Sequence, residues 1–218
     1  MSNWEYGGAY KDLDMSGEIN LPHGSVVSVQ DLTLGMPDYM KQADTLFIDP
    51  PWNTGNIRSF YTKADMEQPA FDFLGFADAL WGRIDSIAPR TLFLEMGKEH
   101  LHRFVTEAER RWKHVTFYNS TYYHKRENKT YVIQATDDWK TRRHKVLEDM
   151  DEEDIIAWVC ANHPYEVIGD LCMGRGLVGR HAYAAGKRFV GTELNRKRLA
   201  VLVDHILRAE AGRQLAAA

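Results

Sequence analysis

The stretch from Glu166 to Glu193 constrains the fold more than any other part of this chain. Glu166-Val167-Ile168-Gly169-Asp170 is a short apolar run that ends in an acid. A glycine-bearing turn follows, Leu171-Cys172-Met173-Gly174-Arg175-Gly176, and then a helix-forming stretch from Leu177 to Ala185. A second run, Arg188-Phe189-Val190-Gly191-Thr192-Glu193, again closes on an acid. Strand, glycine turn, helix and strand in that order make a β-α-β unit, whose parallel strands lie in a sheet covered on both faces. Glycine lets a ligand approach the backbone of such a turn closely. The separation of Asp170 from Glu193 is close to the ~20 positions between a nucleotide-binding turn and its ribose-binding acid.

A second feature lies far upstream. The apolar run Thr45-Leu46-Phe47-Ile48 delivers Asp49-Pro50-Pro51-Trp52. Proline has no N–H, so Pro50 and Pro51 offer only carbonyl acceptors, and each biases the residue before it toward extended geometry. Acceptors beside an aromatic plate suit an exocyclic amine on a flat ring, such as N6 of adenine or N4 of cytosine. The same residues also fit a strand stopped by prolines, with a core tryptophan.

Around these two features strands and amphipathic helices alternate in the α/β manner. Phe73, Phe76, Leu80, Ile84 and Ile87 keep helical spacing, as do Leu101, Phe104, Val105, Ala108 and Trp112. Thr91 to Met96 is a buried strand, and Val115 to Tyr123 with Thr130 to Ala135 form a hairpin about the turn Lys125 to Lys129. Ile155, Ile156 and Val159 mark a short helix, and Leu199, Leu202, Val203 and Ile206 mark the last one. The expected division is an irregular segment 1–24, one domain 25–211 and a mobile tail 212–218. Within the domain lie a catalytic half 25–136, a basic linker 137–153 and a cofactor half 154–211. With 218 residues and 44% hydrophobic side chains, one domain can bury a full core. No apolar run approaches the ~18 residues of a membrane span, and the first ten residues are not a signal peptide. Cys160 and Cys172 lack the pairing of a secreted scaffold or zinc site, so a reducing compartment is expected and Cys172 reads as a small filler residue. The nine histidines show no metal-ligand spacing, and no metal is expected.

Together Asp49 to Trp52 and Asp170 to Glu193 resemble the amino-methylating, S-adenosylmethionine-dependent nucleic-acid methyltransferases. The match is to the circularly permuted (beta-type) group, whose catalytic motif precedes its cofactor motif, and it spans about Val26 to Leu207. The resemblance implies a Rossmann-like, seven-stranded mixed sheet flanked by helices, with the last two strands beside the first two. It implies Asp49, Pro50, Pro51 and Trp52 as catalytic residues. It implies Asp170, Leu171, Cys172, Gly174 and Gly176 around the methionine part of S-adenosyl-L-methionine, Glu193 and Leu194 at the ribose, and Asp31 near the cofactor's adenine. The family's turn is Asp-Pro-Phe-x-Gly-x-Gly-Thr, and this chain has Leu171, Cys172 and Leu177 at the Pro, Phe and Thr positions.

The implied activity is adenine-N6 methylation of DNA, on a base taken out of its stack and held by Trp52. Cytosine-N4 methylation of DNA, N6-methylation of RNA and a non-catalytic nucleic-acid-binding partner subunit are the alternatives, since eukaryotic RNA adenosine methyltransferases also carry Asp-Pro-Pro-Trp. Net charge is −4, so any nucleic-acid footprint is local. The candidates are Lys125, Arg126 and Lys129, then Lys140, Arg142, Arg143 and Lys145, interleaved with Tyr122, Tyr123, Tyr131 and Trp139. Asn53, Arg58 and Lys63, on a short loop after Trp52, would touch the strand near the flipped base. DNA is the expected partner, a homodimer is possible, and the expected setting is the cytoplasm of a bacterial or phage-infected cell, with or without a restriction nuclease.

Overall fold

The computed structural model describes residues 5–217. Its centre is one eight-stranded sheet, formed by β1 (Glu18–Leu21), β2 (Ser25–Val29), β3 (Thr45–Ile48), β4 (Thr91–Met96), β5 (His114–Tyr122), β6 (Lys125–Thr136), β7 (Val167–Asp170) and β8 (Arg188–Glu193). The strand order is β1-β2-β8-β7-β3-β4-β6-β5. From β2 to β4 every neighbour is parallel, while β1 and the β5–β6 hairpin pair antiparallel at the two ends. The last two strands in sequence thus lie between β2 and β3, as the resemblance implied.

Helices α1 (Thr54–Lys63), α2 (Phe73–Ile87) and α3 (Leu101–Glu109) contribute Ile57, Leu80, Ile84 and Phe104 to one apolar layer. Helices α4 (Glu152–Asn162), α5 (Leu177–Ala184) and α6 (Arg196–Ala217) contribute Ile155, Val159, Ala182 and Leu202 to the other. The strands feed both layers by alternation. Leu46, Ile48, Leu92 and Leu94 face the first, and Phe47 and Phe93, stacked with centroids 5.9 Å apart, face the second. This two-sided demand is why Leu46 to Ile48 of β3 and Leu92 to Leu94 of β4 read as continuous hydrophobic runs. Fully burying each such side chain is worth about 1.5–3 kcal/mol. Helix α2 starts where the Asp72 carboxylate accepts from the N–H groups of Leu74 and Gly75, and it ends at Ala88 in a left-handed conformation just before Pro89. No helix among the described residues is long and apolar enough to cross a membrane.

Four expectations are corrected. The sheet has eight strands, because Glu18–Leu21 of the segment read as irregular adds an edge to β2. Four residues with one buried position carry too little alternation to be seen in sequence. The hairpin turn is Tyr123-His124, both at positive φ, so Lys125 to Lys129 belong to β6. A two-residue turn of this kind matches the strand twist, but it normally carries Asn or Gly and so gave no signal. The segment after Trp52 is helix α1 rather than loop, capped by Asn53, whose side chain accepts from the Asn56 N–H. Finally, Gly212 to Ala217 continue α6, and Ala218 lies outside the described residues.

Candidate active site

The parallel strands all end on one edge of the sheet, where open α/β sheets bind ligands. Asp49 directly follows β3, Asp170 ends β7, Glu193 ends β8, and Asp31 follows β2 by two residues. In register, Asp170 sits opposite Gly191 and Glu193 opposite Val29. All four acids line one cavity of about 510 Å³. The sheet therefore gathers residues that are far apart in the chain.

Three of these acids accept from nearby backbone N–H groups. Asp31 accepts from the N–H and hydroxyl of Thr33 at 2.9 and 2.6 Å, and from the Tyr61 hydroxyl of α1 at 2.5 Å. Asp170 accepts from the Cys172 N–H at 2.9 Å. Glu193 accepts from Gly174 N–H at 2.6 Å and from Asn195 N–H at 3.0 Å. Burial raises the carboxyl pKa of Glu193 and raises that of Asp170 well above the ordinary range. Gly174 has φ +55° and faces the Arg198 guanidinium of α6, 2.8 Å from where a Cβ would stand, so neither the turn nor the arginine leaves room for a side chain. Gly176 instead packs on Leu202 and does not line the cavity. Leu171, Cys172 and Leu194 do line it. Burial pushes the Cys172 thiol well above its usual pKa, which suits an inert filler.

At the other side of the cavity stands Asp49. Its Oδ1 accepts from the Trp52 indole N–H at 3.1 Å, while the Trp52 backbone N–H donates to Asn56 Oδ1 at 3.2 Å. The motif is thereby folded back onto the first turn of α1. The Trp52 ring lies over Gly97, where a Cβ would come within 2.9 Å, and meets Tyr122 edge-on at 5.7 Å. Pro51 lines the cavity, whereas Pro50 is buried and Trp52 is half-buried against the core. Tyr122 of β5, which meets the indole, lines the cavity while Trp52 does not, so the indole orients the acid more than it offers an open plate.

A carboxyl cluster that no motif announced completes this end. Asp49, Glu95 of β4 and Glu152 at the start of α4 bring one oxygen each within 4.8 Å of one another. They come from three distant segments, so no spacing could reveal them. Burial raises the Asp49 pKa to about 7 and the Glu152 pKa to about 8, with the neighbouring charges adding to the latter. Asp49 retains some accessible surface, but that surface faces the cavity rather than bulk water. Glu95 is fully buried and raised well above the carboxylate range for the same reason. Neither Glu95 oxygen receives an N–H or hydroxyl bond from the described residues, and Thr130 donates to the Met96 carbonyl instead. Two carboxyls as close as those of Glu95 and Glu152 favour a proton on at least one of them, which fits the raised pKa of both.

The basic candidates separate in space. Lys125, Arg126 and Lys129 are exposed at the hairpin tip, beyond the edge where β4 ends and the cavity opens. Asp151 pins this tip to α4, accepting from the Thr121 hydroxyl at 2.9 Å and the His124 N–H at 2.7 Å. Lys140 and Arg142 follow the other end of β6, toward the opposite edge of the sheet. Arg142 lies 3.3 Å over the exposed Trp139 ring, Arg143 pairs with Glu148 at 3.1 Å, and Lys145 is exposed. Arg58 is exposed on α1, whereas Lys63 is a wall of the cavity, its pKa lowered by burial and then by Arg198.

Neither a protein-family model nor a curated protein matches the sequence. Solved structures do match the backbone. The M1.HpyAVI–SAM complex aligns at TM-score 0.57 and 12% identity, over 82% of this chain and 98% of that one. TTHA0409 from Thermus thermophilus, named as a DNA modification methylase, aligns as its selenomethionine derivative at TM-score 0.58 and 12% identity, over 84% and 94% of the two chains. Its complex with S-adenosyl-L-methionine aligns at TM-score 0.55 and 14% identity, over 84% and 93%. This chain has a methyltransferase fold. At such identities the likeness concerns the fold alone, and the chemistry must be argued from the cavity.

Proposed function

We propose that this chain is an S-adenosylmethionine-dependent methyltransferase acting on the N6 amine of adenine in DNA. The observation that carries the reading is one cavity shared by the Asp49 end of β3 and the glycine turn between β7 and α5. Its volume falls within the ~300–1,000 Å³ of small-molecule sites. Its walls also fit the cofactor's chemistry. Asp31, Asp170 and Glu193 are acceptors for hydroxyl, amine and ammonium groups, and buried acids gain from a cationic ligand. When bound, the cofactor supplies a methyl group made electrophilic by its sulfonium.

The chain's part is to present the amine. The lone pair of an exocyclic amine is delocalised into its ring, so the amine is a poor nucleophile until its N–H groups are bound by strong acceptors. The Trp52 indole occupies Asp49 Oδ1, which leaves Oδ2 to accept from N6–H beside the Pro50 carbonyl. A carboxyl with a pKa near 7 is also basic enough to take up the proton that the amine sheds on methylation. Tyr122 gives the extruded base an aromatic neighbour, a contact type worth about 1–3 kcal/mol per base. Positioning and electrostatics then supply most of the catalysis. DNA is the partner in this reading, met through the tip Lys125, Arg126 and Lys129 and through Arg58.

The test is a methyl-transfer assay on DNA and RNA, followed by mass spectrometry of the product nucleosides. N6-methyladenine in DNA is expected. N4-methylcytosine would reassign the base, and a product confined to RNA would reassign the polymer. Cofactor binding with no product on either polymer would point to a non-catalytic nucleic-acid-binding subunit.

A further inference from the structure

Helix α6 opens with Arg196, Lys197 and Arg198, three cations where the helix dipole favours anions. Two of them are accounted for. Arg196 rests on the Tyr10 ring, and Lys197 pairs with Asp65 at 2.7 Å and with Glu5 at 3.5 Å. Arg198 differs. Among the described residues no carboxylate forms an ion pair with it, and none of its side-chain N–H groups donates to a protein acceptor. Its Nε is sealed from solvent without a partner. Its guanidinium lies over the Phe60 ring, 5.2 Å from the centroid, and against the backbone of Gly174, while the residue lines the cavity. The nearest acid in the turn, Glu193, already has both oxygens engaged by backbone N–H groups. Glu193 and Asp49 lie near enough to offset its charge, but a shielded guanidinium whose N–H groups lack acceptors is costly, and its planar fork of donors matches a carboxylate.

We propose that Arg198 binds the α-carboxylate of the cofactor's methionine moiety, holding it against the glycine turn from Asp170 to Gly176. The proposal rests on the reading that this cavity takes S-adenosylmethionine. It adds a residue that no sequence motif singled out. A backbone phosphate of the target strand is the other anion with matching chemistry. The position of Arg198 favours the carboxylate, because the guanidinium adjoins Gly174 inside the cavity while the exposed cations lie at the hairpin tip and on α1.

The test is calorimetric titration of wild type, Arg198→Gln and Arg198→Lys with S-adenosylmethionine and with its decarboxylated analogue, which lacks only the carboxylate. Wild type should prefer the complete cofactor by about 10- to 100-fold, as expected for charge-assisted hydrogen bonds. Arg198→Gln should bind the two compounds nearly alike, and Arg198→Lys should keep part of the preference. Wild type that binds both compounds equally overturns the proposal without recourse to any variant. So does a full preference retained in a folded Arg198→Gln protein, or a loss confined to nucleic-acid affinity, which would assign the arginine to phosphate. Wild type that binds neither compound overturns the cofactor reading as well.

Discussion

Asp49 is a strong acceptor for an amine, and a base for its proton, only when ionised, and its surroundings set when that happens. With its pKa raised to about 7, the transfer rate should fall as pH drops through that value, because protonated Asp49 is a weaker acceptor and can no longer take up the amine's proton. Single-turnover rates between about pH 6 and pH 8.5 check this, and a flat profile would show that Asp49 is not the acceptor. Asp49→Asn should abolish transfer yet leave cofactor affinity nearly unchanged, whereas Glu193→Ala should weaken cofactor binding by about 1.5–3 kcal/mol. Calorimetry on the two variants separates these roles. The carboxyl cluster also carries a stability signature. Asp49, Glu95 and Glu152 all have folded pKa values above the unfolded ~4. Between those limits the folded state binds more protons than the unfolded one, so these groups cost stability as pH rises through about 7 to 8. Glu152→Gln removes one such charge. It should raise the melting temperature by a few degrees at about pH 8.5 and change it little at about pH 5, where wild type is already protonated. A shift of equal size at both values would mean that the gain comes from packing instead.

At the scale of elements, the hairpin decides which cations can meet a polymer at the cavity. Lys125, Arg126 and Lys129 stand on the cavity edge and form no ion pair among the described residues, while Arg143 is tied to Glu148 and Arg142 to Trp139. Neutralising the tip cluster should flatten the dependence of log affinity on log salt by about one to three units, at roughly 0.9 per duplex phosphate contact. Neutralising Arg142, Arg143 and Lys145 should flatten it less. Equal effects would place the polymer along the whole of β5 rather than at its tip. The elements themselves were legible in uneven measure. β3, β4, β7 and β8 stood out because burial on both faces demands continuous apolar runs, and α2 stood out because Phe73 to Ile87 keep a helical period. The hairpin turn was misplaced because Tyr123 and His124 adopt positive φ without the residues that usually mark it. Of the site, the acids that end strands could be read directly, since strand ends are visible in the pattern. Glu95, Glu152, Tyr122 and Arg198 could not. Glu95 sits inside an apolar strand, Tyr122 on a strand at the sheet's end, and the other two open helices in charged runs. Only the sheet order brings them to one cavity.

For the molecule as a whole, the question is how much sequence so small a surface can read. Net charge is −4 and the pI is about 6.1, so attraction to a polyanion has to come from local patches. The segments with room to read bases are Asn53 to Pro69 and Thr136 to Asp149. The first is largely α1, which spends Ile57 and Tyr61 on the main core. The second runs beside β5, where the His144 N–H donates to the Tyr118 hydroxyl at 2.7 Å and the Asn119 amide donates to Glu148 at 2.7 Å. Neither builds a core of its own, so among the described residues no separate domain exists for target reading. Base readout takes several well-placed side chains, each good bidentate pair contributing about 1–3 kcal/mol. A monomer should therefore recognise only a few base pairs, with relaxed flanking preference, and a longer site would need a second subunit to double the reading surface. Long-read sequencing of DNA modified in a host without other methyltransferases measures the site, and sedimentation on DNA measures the stoichiometry. A strict site of about six or more base pairs made by a protein that sediments as a monomer would refute this, because two short segments cannot supply the contacts that such discrimination requires.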